Sequence, residues 1–365
     1  MPHCISVYRM FSRRSPFRWS GILSMSTACW EHCALCNFIT ACIRMAIGGS
    51  MRRYLILSLI ISLVVTALSL LSAGCSSGSG DQRAFSNDHR VFLPVIASSE
   101  RPAERYTFFV AGHTYGVPEV NNPGVHPPFK AMFPQINSLH PVFGVFTGDI
   151  VIKSTPTDWD EVDADLAELT APVHFAVGNH DMTNRDLFVS RYGPTYYAFE
   201  YQGDLFIVLD GELNQGNIVG EQMGVLRDMI QGNRWQNVFV FVHRLLWVTE
   251  GTPYYILRDR INNSSVYTFQ NNFWEDVEPL LRGLDAQVYV VAGDVGVTWA
   301  MALFYEEYEN MHLIASGMGG SEEENFLVFD VDAADVRIQA QRLDGQPLER
   351  GVIEAYNLAY YSSVP

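Results

Sequence analysis

The sequence predicts an α/β fold, and two observations carry that prediction. Apolar runs of strand length recur along the chain with helix-like patterns between most of them, and small or chemically active polar residues gather where those runs stop. Open α/β sheets bind ligands at the carboxyl ends of their strands. The two observations therefore belong together.

The first run, 106–111, ends in Gly112-His113. The second, 142–146, leads to Gly148-Asp149, and the third, 173–177, to Gly178-Asn179-His180-Asp181. Runs at 205–209, 237–242 and 287–292 stop at Asp210, at His243 and at Gly293-Asp294. Helices are expected over 128–139, over 157–169 with Thr157 as cap, and over 185–192, 220–230 and 272–281. In the fourth of these, Met223, Leu226, Met229 and Ile230 fall on one face, which is what a helix lying on a sheet requires. Strands at 311–315, 326–331 and 336–342 follow without helices and read as a meander that closes the domain. No internal repeat or linker divides the region, so a single domain is expected from about 105 to 345, with 346–365 as a C-terminal tail.

The strand ends have the chemistry of a metal site. Carboxylate and amide oxygens and imidazoles at two ends about thirty residues apart suit divalent ions that act on phosphate esters. Glycine beside them lets a backbone without Cβ approach a ligand closely. Singly, each residue has a plainer use. Asp149 and Asn179 could cap the helices that follow, a lone His243 could be structural, Arg244 could bind phosphate or a surface carboxylate, and Tyr115 could be a packed ring. Trp247, Tyr254 and Tyr255 lie in or beside a segment, 248–270, that reads as an insertion next to His243 and a substrate-selecting loop.

In order and spacing, residues 105–345 resemble the calcineurin-like metallophosphoesterase superfamily. Gly148-Asp149 matches its second motif, Gly178-Asn179-His180-Asp181 its third in full, His243 its fourth, and Ser316-Gly317-Met318-Gly319-Gly320 its late glycine-rich strand end. Two motifs depart. For the first, Asp-x-His, the chain has Ala111-Gly112-His113-Thr114-Tyr115-Gly116. With the glycines matched, His113 stands for the Asp and Tyr115 for the His; one register over, His113 is the His and Ala111 replaces the Asp. For the fifth, Gly-His-x-His, it has Gly293-Asp294-Val295-Gly296.

The resemblance implies two mixed β-sheets flanked by helices in a four-layer sandwich, and hydrolysis of phosphomonoesters or phosphodiesters by a metal-activated water. It implies one good metal site at Asp149, Asn179, His243 and Asp294, with His113 as the remnant of a second. The cofactor would be Mn, Fe, Zn or Mg, one or two ions per chain. His180, oriented by Asp181, would contact the phosphate and leaving group, and the chemistry of Arg244 and Tyr115 themselves adds them as candidate substrate contacts. The competing expectation, suggested by the altered motifs, is a non-catalytic binding module for an envelope polymer or a phosphate ligand.

The amino-terminal part is read differently. Arg52-Arg53, an apolar stretch at 54–71 and Ser72-Ala73-Gly74-Cys75 form an export signal over 51–75 that resembles a bacterial lipoprotein signal, although Ser72 stands where Leu is commoner. Cys75 would carry the lipid and 76–104 would be the tether, which places the domain on the cell envelope or in the periplasmic or extracellular space. Residues 1–50, with Cys33 and Cys36, precede a complete signal and read as a start assigned too early. After Cys75 no cysteine remains, so no disulfide framework is possible in the domain. The formal charge is −16, and residues 1–53 hold seven arginines against one glutamate, so the domain is more acidic still. Such a surface disfavours nucleic-acid backbones as partners. The expected partner is instead a phosphate-ester small molecule or an envelope polymer.

Overall fold

A computed structural model of the chain describes residues 105–231, 235–262, 269–333 and 335–364. The proposed extension, signal and tether at 1–50, 51–75 and 76–104, with Cys75, lie outside the described residues. No helix among the described residues is long and apolar enough to cross a membrane.

The strands begin with β1 (Tyr106–Ala111), β2 (Gly144–Thr147), β3 (Val173–Ala176), β4 (Tyr197–Tyr201), β5 (Asp204–Val208) and β6 (Asn237–Val242). They continue with β7 (Gln287–Ala292), β8 (Leu303–Tyr308), β9 (Met311–Ser316), β10 (Asn325–Asp332) and β11 (Asp335–Arg342). One sheet has the order β11-β10-β1-β2-β3 and the other β4-β5-β6-β7-β9-β8. In the first sheet β1, β2 and β3 pair in parallel and β10 pairs antiparallel with both β1 and β11, whereas in the second β5, β6, β7 and β9 form a parallel centre edged by the antiparallel strands β4 and β8. This is the mixed two-sheet α/β architecture that the resemblance implies.

The layers follow from the alternation of side chains along each strand. In β1, Phe108 and Val110 enter the larger core with both faces of the second sheet, whereas Phe109 and Ala111 enter a smaller core beneath the helices. That smaller core takes Phe129 of α1 (Pro127–Lys130), Phe133 and Ile136 of α2 (Phe133–Ser138), Trp159 and Val162 of α3 (Pro156–Leu166) and Phe188 of α4 (Arg185–Tyr192). On the other side of the molecule, α5 (Gly220–Ile230) buries Met223, Leu226 and Ile230 in the larger core, and α6 (Glu278–Arg282) buries Leu281 there. Between the sheets Phe108 is stacked on Phe329 with ring centroids 4.6 Å apart and meets Phe239 of the opposite sheet edge-on at 5.1 Å. At the start of β1 the Tyr106 hydroxyl donates to Asp204 of β5, and the Asn237 side chain of β6 donates both to Asp204 (3.0 Å) and to the Ala333 carbonyl (2.8 Å).

Several expectations are corrected in detail. The closing strands are no meander: β9 lies in the second sheet beside β7, and only β10 and β11 form a hairpin in the first. Two strands, β4 and β8, were not foreseen. The helix expected at 128–139 is two short ones, because Pro134 sits in the first turn of α2, where its missing N–H costs no helical bond. The third helix is capped by Thr155, whose hydroxyl accepts from the Asp158 N–H, and Pro156 rather than Thr157 follows the cap. The stretch expected as helix at 272–281 opens with a π-helical turn, Phe273–Val277. Beyond β11, Ile353, Tyr356 and Tyr361 are buried in the larger core, the last on α7 (Leu358–Ser363).

Replacing Phe108 by Ala removes the ring shared by both sheets. The expected loss is about 3–5 kcal/mol of stability, read as a lower urea midpoint at unchanged slope.

Candidate metal centre

The parallel strands of both sheets bring their carboxyl ends to one place. The loop after β1 carries His113, that after β2 carries Asp149, and that after β3 carries Asn179, His180 and Asp181, while β6 and β7 of the second sheet deliver His243 and Asp294. The backbone bends hard to achieve this. His113 and Asp149 both take left-handed φ, 55° and 52°, which non-glycine residues rarely adopt. Gly148, at φ 84°, has no room for a Cβ against the His243 ring, and a Cβ on Gly178 would strike Asp149 itself.

Asp149, His243 and Asp294 are all buried, and one ligand atom from each lies within 4.8 Å of the others. His243 Nδ1–H donates to the Thr147 carbonyl (2.9 Å), which turns Nε2 toward Asp149 Oδ2 at 3.4 Å and Asp294 Oδ1 at 3.6 Å. His113 is set the same way. Its Nδ1–H donates to the Met318 carbonyl (2.7 Å), leaving Nε2 at 3.7 Å from Asp149 Oδ2. The other Asp149 oxygen accepts the His180 backbone N–H at 3.1 Å.

What these groups lack is as informative as what they touch. His243 Nε2, both carboxylate oxygens of Asp294 and the Asn179 Oδ1 are buried polar atoms without a hydrogen-bond partner. Buried polar atoms are nearly always paired, and orphans on His243 and Asp294 beside Asp149, with Asn179 lining the same cavity, fit a ligand that accepts lone pairs. Carboxylate, amide oxygen and imidazole together are a hard or borderline donor set for a divalent cation. The electrostatics agree. Burial pushes His243 down, but Asp149 and Asp294 outweigh it and raise it to about 10. Burial raises Asp294 to about 6. For Asp149 burial also pushes upward, yet His243 and then His113 and His180 hold the carboxyl below its usual range. His113, buried with His243 also against its charged form, falls to about 4 despite Asp149. The His243 ring thus stands between two buried carboxylates that favour a positive charge there.

A cavity of about 660 Å³ opens over the cluster. His113, Tyr115, Asp149, Asn179, His180 and Asp294 line its inner end. Tyr115, buried, stands with its hydroxyl 3.4 Å from His180 Nε2, and its ring lies between those of His113 (4.3 Å) and His180 (5.0 Å). Because His113 and Tyr115 line the cavity while Ala111 is in the smaller core, the structure favours the register in which the glycines match.

Three expectations fare differently. Asp181 does not orient the His180 ring: its carboxylate accepts the N–H groups of Ile150, Val151 and Gly178, tying the β2 loop to the β3 loop. Burial and the Asp149 charge raise it to about 7. His180 is turned instead by the Ile152 carbonyl, which accepts from Nδ1–H at 2.8 Å. Arg244 is held in a two-point ion pair by Glu212, Nε to Oε1 at 2.7 Å, and does not line the cavity. Asp210 likewise pairs with Arg185 outside it. Trp247, Tyr254 and Tyr255 pack on the larger core, so that of the described part of the insertion only Asn262 reaches the cavity wall. The outer wall, Pro118, Glu119, Val297, Thr298 and Trp299, carried no sequence signal, since it comes from loops that are close only in space.

A family model described as calcineurin-like phosphoesterase matches residues 108–294. No curated protein matches the chain. Among solved structures, a conserved uncharacterized protein from Streptococcus pneumoniae TIGR4, titled as a predicted phosphoesterase, is similar at 10% identity and a TM-score of 0.33, over 67% of this chain and 94% of its own.

Mn²⁺ added to chelator-stripped protein should raise the melting temperature by several degrees, since a ligand at a hundred times its Kd adds about 2.7 kcal/mol. Asp294→Asn should lose most of that shift. An equal shift in parent and variant would place the ion elsewhere.

Proposed function

We propose that this chain, which belongs to the calcineurin-like phosphoesterase family, hydrolyses phosphate esters with a divalent metal ion held by Asp149, Asn179, His243 and Asp294. The observation that carries the proposal is that His243 Nε2, both Asp294 oxygens and Asn179 Oδ1 are buried without partners in and beside an open cavity that Asp149, Asn179, His180 and Asp294 line. A divalent ion bound there supplies Lewis-acid chemistry toward a phosphoryl group and a water of lowered pKa.

The chain's own groups supply the rest. With Nδ1–H donating to Ile152, His180 presents Nε2 to the cavity, and in its doubly protonated form it donates from that atom to a phosphoryl or leaving-group oxygen. The Tyr115 hydroxyl beside Nε2 donates to the imidazole once the proton has left. Asp181 acts at one remove, fixing the backbone that carries Asp149 and Asn179. His113 turns Nε2 toward Asp149 at 3.7 Å and would be a ligand for a second ion. One observation favours the non-catalytic reading, namely that the first motif supplies no carboxylate to that second position. The signal-like segment 51–75 ending in Cys75 supports activity on the cell envelope, toward a small phosphate ester or an envelope polymer.

Folded His180→Ala should turn over aryl phosphate monoesters and diesters about 10²–10⁴-fold more slowly in kcat than the parent, with metal content unchanged. Asp149→Asn should lose metal and rate together. A parent that binds metal but hydrolyses neither substrate would establish the binding-module reading.

A further inference from the structure

The cavity is far larger than one phosphate group needs, and its outer wall is chemically unlike its floor. A tight loop leaves the site at Asp294 and carries Trp299 at its tip. Asn262 clamps the loop base, its Nδ2–H donating to the Val295 carbonyl and its Oδ1 accepting the Val297 N–H, each at 3.0 Å. Val297 also bridges to Gly320, and the Gly296 N–H closes the turn onto the Met301 carbonyl at 2.8 Å. Trp299 is thus presented by a fixed scaffold, yet it is 59% exposed. An indole left in water beside a catalytic-type floor is a surface for another ring. The ionisable groups lining the cavity are Asp149, Asp294, Glu119, His113, His180 and Tyr115. Among the described residues no Lys or Arg lines it.

We infer that the site accepts an ester with a single phosphate group whose organic part is uncharged and carries a planar ring seated against Trp299. This rests on the phosphoesterase reading and narrows it. The one phosphate is received by the floor and its metal. Any further anionic group would meet Glu119 with no cation to receive it, so polyphosphates and nucleic-acid chains are poor ligands. The ring supplies binding energy outside the reacting atoms and sets where the ester oxygens lie.

The test uses the full chain with Mn²⁺ and hydrolytically inert anions, with dissociation constants read by calorimetry. Diphenylphosphinate should bind about tenfold more tightly than dimethylphosphinate, a ratio in the range that ring stacking supplies. Trp299→Ala should bring the two together and Trp299→Phe should keep most of the difference. A ring carboxylate, in bis(4-carboxyphenyl)phosphinate, should weaken binding, and Glu119→Gln should restore part of it. Equal affinities in the parent, or a ratio untouched by Trp299→Ala, overturn the inference. Turnover of bis(4-nitrophenyl) phosphate on the same preparations separates the two readings. Turnover without ring preference leaves the enzyme and removes the ring subsite. Ring preference without turnover keeps the subsite and removes the enzyme.

Discussion

Two sheets can build one site only if their parallel strands finish at the same edge of the sandwich, and the aromatic packing between them sets that edge. Phe108, in the central strand of the first sheet, touches Phe329 of its own sheet and Phe239 of the other. With those rings engaged, the loops after β1, β2 and β3 face the loops after β6 and β7. Neither sheet alone holds a complete donor set. Asp149 and Asn179 come from one and His243 and Asp294 from the other, so the chemistry of the floor is a property of the interface.

The floor is built against the grain of folding. Two carboxylates and two imidazoles are buried together, and several of their atoms lack partners. Left-handed backbone at His113 and Asp149 adds local strain. What holds the arrangement is backbone hydrogen bonding around it: His113 N–H to Gly148 (3.0 Å), Tyr115 N–H to Asp149 (3.1 Å) and the three N–H groups that converge on Asp181. The carbonyls of Thr147, Met318 and Ile152 then choose the tautomer of each of the three histidines. A site assembled this way is oriented before any ligand arrives.

The sequence revealed the parallel strands because each is a continuous apolar run, and it revealed the donors because they stop those runs. The two edge strands of the second sheet were less legible. In β4, Tyr-Ala-Phe-Glu-Tyr alternates too weakly and carries too much polarity to stand out, and in β8 the second half is Glu-Glu-Tyr. The assignment of β9 to one sheet and β10 to the other is a long-range choice that no local pattern encodes. Motif spacing placed Asp181 beside His180, but it could not show that three backbone N–H groups reach that carboxylate first. Nor could it show that Glu212 claims Arg244. Trp299 was silent because its importance comes from exposure, and exposure is decided by what fails to cover a residue.

The buried polar contact at the far end of the sandwich has a mechanical meaning. Tyr106 of the first sheet grips Asp204 of the second, and Asn237 reaches from Asp204 back to Ala333. At the opposite end Asp149 and Asp294 face each other from the two sheets across the His243 ring, whose Nε2 lies 3.4 Å from one and 3.6 Å from the other. The sandwich is therefore pinned by hydrogen bonds at one end and holds two buried carboxylates at the other. A cation received at that end would be gripped by both sheets at once and would act as the sandwich's second pin.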